Sequence, residues 1–153
     1  MTKILFICHG NICRSPMAEM VMKNLVKKAG LEKDFYIDSA ATDRDEIGNG
    51  MHHGTITELK KHEIPFTNHR ARLVKIDDYN DFDFLICMDD ENLAHLERRI
   101  GNDTDGKVHK LLEYCGKNRD VADPWYTGNF IETYADVTEG CKALLEQITV
   151  KNH

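Results

Sequence analysis

Between the apolar run Ile4-Leu5-Phe6-Ile7 and a stretch of helical periodicity stand Cys8-His9-Gly10-Asn11-Ile12-Cys13-Arg14-Ser15, a cysteine and an arginine separated by five residues. That spacing lets a backbone loop wrap round one phosphoryl group, with the sulfur beneath the phosphorus and the guanidinium beside its oxygens. The attacking species in such chemistry is the thiolate, and an ordinary cysteine is mostly protonated at neutral pH. A helix N-terminus and a neighbouring arginine both favour the thiolate. Ser15-Pro16 opens a helix, with Ser15 as its expected cap, so free N–H groups face back toward the loop. The Ser15 hydroxyl can also donate to the sulfur. The amides from His9 to Arg14 can nest three phosphoryl oxygens, and a planar arginine grips them where lysine would be a point charge. Gly10 and Asn11 tolerate the left-handed backbone that such a curl needs. The alternative is a tight strand-to-helix turn round a buried thiol. A serine after the arginine, in strand–loop–helix context, argues against it. No Gly-Lys-Ser/Thr follows, which excludes a Walker loop.

A thiolate alone leaves an ester oxygen as a poor leaving group, and phosphate monoesters are among the slowest of all compounds to hydrolyse unaided. A mobile acid must protonate that oxygen. Asp123, held before the restricted Pro124, can do so, or it can simply initiate a turn. Trp125 and Tyr126 favour the first reading, because aromatics beside an acid can flank a flat leaving group. Core packing is their alternative, more so for Trp125.

The elements that must position these residues alternate in type. Strands are expected over Lys3–Ile7, Phe35–Asp38, Phe82–Cys87 and Val108–Leu112. Helices follow from Ser15 to Gly30, from about His52 to His62, and from about Asp89 to Ile100. A last helix carries Ile131, Tyr134, Val137, Cys141, Leu144, Leu145 and Ile148 on one face. This order predicts an α/β fold, a four-stranded parallel sheet with helices on both faces. Ligands of such sheets bind beyond the carboxyl ends of the strands, where Cys8, Ser39, Asp89 and Asp123 all fall.

The 153 residues, with no repeat or linker, read as a single domain over 1–153. A net charge of −6 argues against a nucleic-acid or anionic-membrane surface, though not against a small cationic pocket. The N-terminal apolar run is too short for a signal peptide or a membrane span, so a cytoplasmic protein is expected. Five cysteines without paired CxxC spacing suggest neither a disulfide framework nor a zinc ribbon.

Taken together, Cys8 to Ser15 with Pro16-Met17-Ala18-Glu19, Ser39-Ala40, His69-Arg70-Ala71-Arg72, Met88-Asp89-Asp90-Glu91-Asn92 and Asp123-Pro124 resemble the low-molecular-weight protein tyrosine phosphatases. The match runs in order over nearly the whole chain. It implies a three-layer α/β/α, phosphatase I-like fold and hydrolysis of phosphotyrosine in proteins through a cysteinyl-phosphate. Cys8 would be the nucleophile, Arg14 the phosphate binder and Asp123 the general acid and later base. Asn11, Ser15, Ser39 and His69 would form a network supporting the loop. No cofactor and no metal ion is expected. The partners would be phosphotyrosine proteins, with a monomer or a weak dimer as the working form.

Some positions depart from the family's pattern. Ala41 stands where glycine is usual, and Asp45 near where an aromatic often walls the cleft, which predicts a more open, more acidic pocket. Trp125 replaces the first of a tyrosine pair. His9 beside the nucleophile is expected to point outward into solvent rather than to act as a second cation. Cys13 is either a small buried side chain or the partner of a reversible Cys8–Cys13 disulfide. The alternative functions are a thiol-dependent arsenate reductase, a phosphoarginine phosphatase and a catalytically silent phosphotyrosine-binding module. The reductases of this kind need two further relay cysteines. The phosphoarginine enzymes carry threonine at the position of Ile12.

Overall fold

The computed structural model describes residues 1–151. Its strands are β1 Thr2–Cys8, β2 Phe35–Ala41, β3 Phe84–Cys87 and β4 Val108–Lys110. Its α-helices are α1 Arg14–Lys28, α2 His53–Lys61, α3 Asp78–Asp81, α4 Asp90–Ile100, α5 Pro124–Thr127 and α6 Phe130–Lys151. The strands form one all-parallel sheet in the order β2-β1-β3-β4, the α/β arrangement expected from the alternation of elements. Side chains alternate across a strand, so pairing in register sorts them by face. Phe6 and its partner Ile86 join Ile4 and Ile37 against α1 and α6, where Met17, Val21, Val137 and Leu144 complete the core. Leu5 with Leu85 and Ile7 with Cys87 face the opposite way, onto Val74, Phe82 and Leu96. Both faces are covered, which is why the strands read as continuous apolar runs.

Several element boundaries differ from those expected. The third strand starts at Phe84, not Phe82, because α3 runs up to Asp81; Phe82 is buried all the same. The fourth strand stops at Lys110, and Leu111–Cys115 coil into a 3₁₀ helix that turns Leu111 and Leu112 into the core. Burial of that apolar pair was legible, but a short apolar run does not say whether a strand or a helix delivers it. Ile131 is 63% exposed, because Phe130 takes the inward position at the start of α6. Ser15 is not the cap of α1: the helix begins at Arg14 after Cys13, which makes no side-chain cap bond, and the Ser15 hydroxyl is used elsewhere.

The carboxyl end of β1 runs directly into the Cys8–Arg14 loop and then α1, so strand and helix grip the loop from both sides. α6 seats against the 3₁₀ helix at Gly140, where an added Cβ would lie 2.4 Å from the branch carbon of the buried Leu111. Alanine in place of glycine favours a helix by about 1 kcal/mol, but overpacking a core costs about 1–3 kcal/mol. A clash with a branch carbon belongs at the upper end of that range. Gly140→Ala is expected to lower the urea midpoint, with a loss of about 1–2 kcal/mol; an unchanged or higher midpoint would contradict this packing.

Candidate active site

The Cys8 sulfur receives a hydrogen bond from the Asn11 backbone N–H at 3.3 Å and lies 3.0 Å from Ser15 Oγ. Which atom of that second pair donates follows from its neighbours. The backbone N–H of Arg72 donates to Asn11 Oδ1 at 3.1 Å, which fixes the amide so that Nδ2 faces Ser15. Asn11 Nδ2 then donates to Ser15 Oγ at 2.7 Å, and the hydroxyl proton is left to point at the sulfur. Two donors therefore converge on Cys8, as a thiolate requires. Asn11 holds φ of 59°, the left-handed conformation needed for the curl, and is fully buried. His69 Nε2 meets the Asn11 carbonyl at 2.7 Å, so it acts as the donor there. Arg72 is itself anchored by Asp38 and Asp78, which hold its chain against the loop.

Arg14 is 2% exposed. Its Nη1 donates to Asp89 Oδ2 at 2.6 Å and to the Val121 carbonyl at 2.8 Å. Nε and Nη2 make no hydrogen bond among the described residues, which leaves one edge of the fork for a ligand. Burial works against the charge, but Cys8, Asp89 and Asp123 outweigh it and raise the arginine's pKa. Asp89 also caps α4, accepting from the Asn92 N–H at 2.7 Å, so the carboxylate that aims Arg14 is itself rigid. Asp123 caps α5 with Oδ1 on the Trp125 N–H at 3.0 Å, and its Oδ2 lies 3.4 Å from Arg14 Nη2.

Cys8, Arg14 and Asp123 line a cavity of about 160 Å³ with His9, Gly10, Ile12, Cys13, Asp45, Glu46, Trp125 and Tyr126. Trp125 and Tyr126 are exposed, so they are walls of the opening and not core; Trp125 meets the edge of His52. Ile12 gives the cavity an apolar side. Asp45 and Glu46 make its rim acidic, in line with the departure noted at Asp45. Cys13 is a free, buried thiol whose pKa burial pushes up to about 12, with the Cys8 charge adding to the rise.

Two expectations need correction. Ser39 does not bond to the loop: its hydroxyl donates at 2.6 Å to the buried Glu19 of α1, tying β2 to that helix. His9 is not simply solvated: its Nε2 lies 2.7 Å from Asp45 Oδ2. Burial alone would lower the His9 pKa, but the Asp45 hydrogen bond and the charges of Asp43, Asp45 and Glu91 together raise it. The support given by Asp89, Arg72 and the Val121 carbonyl was not predicted. Asp89 carried a signal in its place at the end of a strand and Arg72 in the segment His69-Arg70-Ala71-Arg72, but neither was tied to a partner.

Asn11 is the position whose replacement separates backbone strain from lost hydrogen bonds. Asn11→Ala both strains a positive φ and orphans the Arg72 N–H, an expected loss of about 2–4 kcal/mol. Asn11→Gly relieves only the strain and should recover part of that loss in the same urea titration; equal losses would refute the hydrogen-bond role.

Against this geometry the comparisons are consistent with one another. Residues 3–153 match the family described as low molecular weight phosphotyrosine protein phosphatase. The low molecular weight protein-tyrosine-phosphatase YfkJ of Bacillus subtilis is 42% identical, covering 97% of this chain and 96% of that one. The low molecular weight phosphotyrosine protein phosphatase of Gallus gallus is 41% identical over 94% of each. The crystal structure of YfkJ superposes with a TM-score of 0.96 at 41% identity, covering 100% of this chain and 98% of that one. A drosophila arginine phosphatase superposes with a TM-score of 0.87 at 34% identity, covering 96% and 98%. With its loop, arginine and aspartate so arranged and its whole length so matched, the chain belongs to the low molecular weight phosphotyrosine protein phosphatases.

Proposed function

We propose that Cys8, Arg14 and Asp123 carry out phosphotyrosine hydrolysis in this chain, a cysteine-dependent protein-tyrosine phosphatase by family. The observation that carries this reading is the sulfur with two converging donors in the same cavity as the open edge of Arg14 and the Asp123 carboxyl. The loop amides and Arg14 take the phosphoryl oxygens. The Cys8 thiolate attacks phosphorus while the bond to the phenolic oxygen breaks, and Asp123 gives that oxygen its proton. Asp123, now a carboxylate, takes a proton from water as the water attacks the cysteinyl-phosphate. The S–P bond breaks, and inorganic phosphate leaves with the thiolate restored.

Stabilisation of the pentavalent phosphorus by fixed amides and one buried guanidinium is electrostatic preorganisation, which loses nothing to solvent reordering. Asn11, Ser15 and His69 are positioning residues that keep the loop curled, and Ser39 acts one step further out through Glu19. Trp125, Tyr126 and Ile12 suit a flat aryl leaving group, whereas phosphoarginine would bring a polar guanidinium to the apolar side of the cavity. Two of the three cysteines outside the loop are out of reach of an arsenate relay. Cys87 is fully buried on the sheet face opposite Cys8, and Cys141 is sealed in α6. The whole chain reads as one phosphatase domain, a cytoplasmic monomer acting on phosphotyrosine proteins. No helix among the described residues is long and apolar enough to cross a membrane.

Turnover of p-nitrophenyl phosphate in EDTA, inhibited by vanadate, is the direct test, and complete inactivity would overturn the reading in favour of a binding module. Cys8→Ser should abolish that turnover while inorganic phosphate still raises the melting temperature; residual turnover near the parent level would remove Cys8 from its role. Asp123→Ala should slow phenyl phosphate by about 10²–10⁴-fold and esters with strongly acidic leaving groups far less. Equal slowing of both would reject the acid.

A further inference from the structure

Beside the phosphate loop, three elements bring together side chains that phosphoester hydrolysis does not use. His9 follows β1, Asp43 follows β2, and Glu91 and His95 stand four residues apart on α4, hence on one helix face. One potential ligand atom from each of His9, Asp43 and His95 lies within 4.8 Å of the other two. His9 Nδ1 is 3.5 Å from Asp43 Oδ1 and 3.5 Å from Glu91 Oε1, and His95 Nδ1 is 2.8 Å from Asp43 Oδ1. We propose that His9, Asp43 and His95 form a binding site for a divalent transition-metal ion of the zinc class at the rim of the active site, with Glu91 as an outer partner beside His9.

Several independent features support this. Tetrahedral zinc with ligands at 2.0–2.2 Å sets its donor atoms about 3.3–3.5 Å apart. The contact of His9 Nδ1 with Asp43 Oδ1 has that spacing and is not a hydrogen bond, whereas His95 Nδ1 is hydrogen-bonded to Asp43 Oδ1 at 2.8 Å and would give up that bond and move slightly outward to ligate the ion. The outer partners are also in place. His9 Nε2 rests on Asp45 at 2.7 Å, the carboxylate–histidine pairing that orients a ligating imidazole. The Thr42 hydroxyl donates to Asp43 Oδ1 at 2.6 Å, and the Asp43 N–H bonds the His9 carbonyl at 3.1 Å, so the two ligand-bearing loops are already tied together. Two imidazoles with carboxylates select zinc, cobalt, nickel or copper over magnesium and calcium, which prefer all-oxygen shells. His9, Asp43 and His95 keep 34%, 28% and 26% of their side-chain surface, so an ion can reach them from solvent. The ion would couple α4 and the loop after β2 to the phosphate loop through His9. It would hold the Asp45 wall in place without taking part in phosphoryl transfer.

Cys8 is a rival zinc ligand, so the test begins with the Cys8→Ser protein. Dialysed against micromolar Zn²⁺, it is expected to hold one ion per chain with a raised melting temperature. Losing even an outer partner of a metal ligand typically weakens binding about 10–100-fold. In the same background His95→Ala and Glu91→Gln should therefore each weaken uptake by about tenfold or more. Co²⁺ in place of Zn²⁺ should show visible ligand-field bands in the intact protein that vanish in His95→Ala. No saturable uptake by Cys8→Ser, or uptake undiminished in His95→Ala, would overturn the site. Because these readouts are binding and spectra, a chain inactive toward p-nitrophenyl phosphate could still confirm it.

Discussion

In the proposed reaction Cys8, a residue only 3% exposed, carries negative charge almost out of contact with solvent, and this is the constraint round which the molecule is arranged. A buried charge is tolerable only where donors meet it, and here they are delivered through one residue. Asn11 supplies its backbone N–H to Cys8, its side-chain amide to Ser15 and its carbonyl to His69, while its left-handed backbone makes the turn. Each contact fixes the direction of the next. The Arg72 N–H sets the amide, the amide sets the hydroxyl, and the hydroxyl faces the sulfur. Such a network is stable only when every member is satisfied.

Arg14 is handled by the same logic with the sign reversed. Its charge is buried, and Asp89, the Val121 carbonyl and the approach of Asp123 compensate it. Two of these acids are helix caps, so the carboxylates that aim the guanidinium are fixed by α4 and α5. Bonds along one edge of a planar fork leave the other edge pre-aimed, and arginine serves where a flexible ammonium would not. On the outer side the balance changes, because acidic side chains crowd His9 and the rim of the cavity.

Much of this was legible in the residues. Cys8, Arg14 and Ser15 stand in one loop, so their mutual reach is a matter of local spacing, and apolar alternation marked which strands are covered on both faces. Element ends were less legible, as at Leu111, where burial is encoded but the conformation that achieves it is not. Ser39 shows the other limit. Its place at the end of a strand put it near the loop, yet Glu19, on the neighbouring helix, lies within reach and takes its hydroxyl.

The chain's own order of residues determined the proposed chemistry, because the proposed nucleophile Cys8, the amides of its loop and Arg14 are contiguous, and helix and strand periods are local properties. Only the tertiary structure decided the partners. Asp89 on Arg14 and Asp45 on His9 bridge 75 and 36 positions of sequence, distances over which spacing carries no information. What closes them is the parallel sheet, which brings the carboxyl ends of separate strands to one edge.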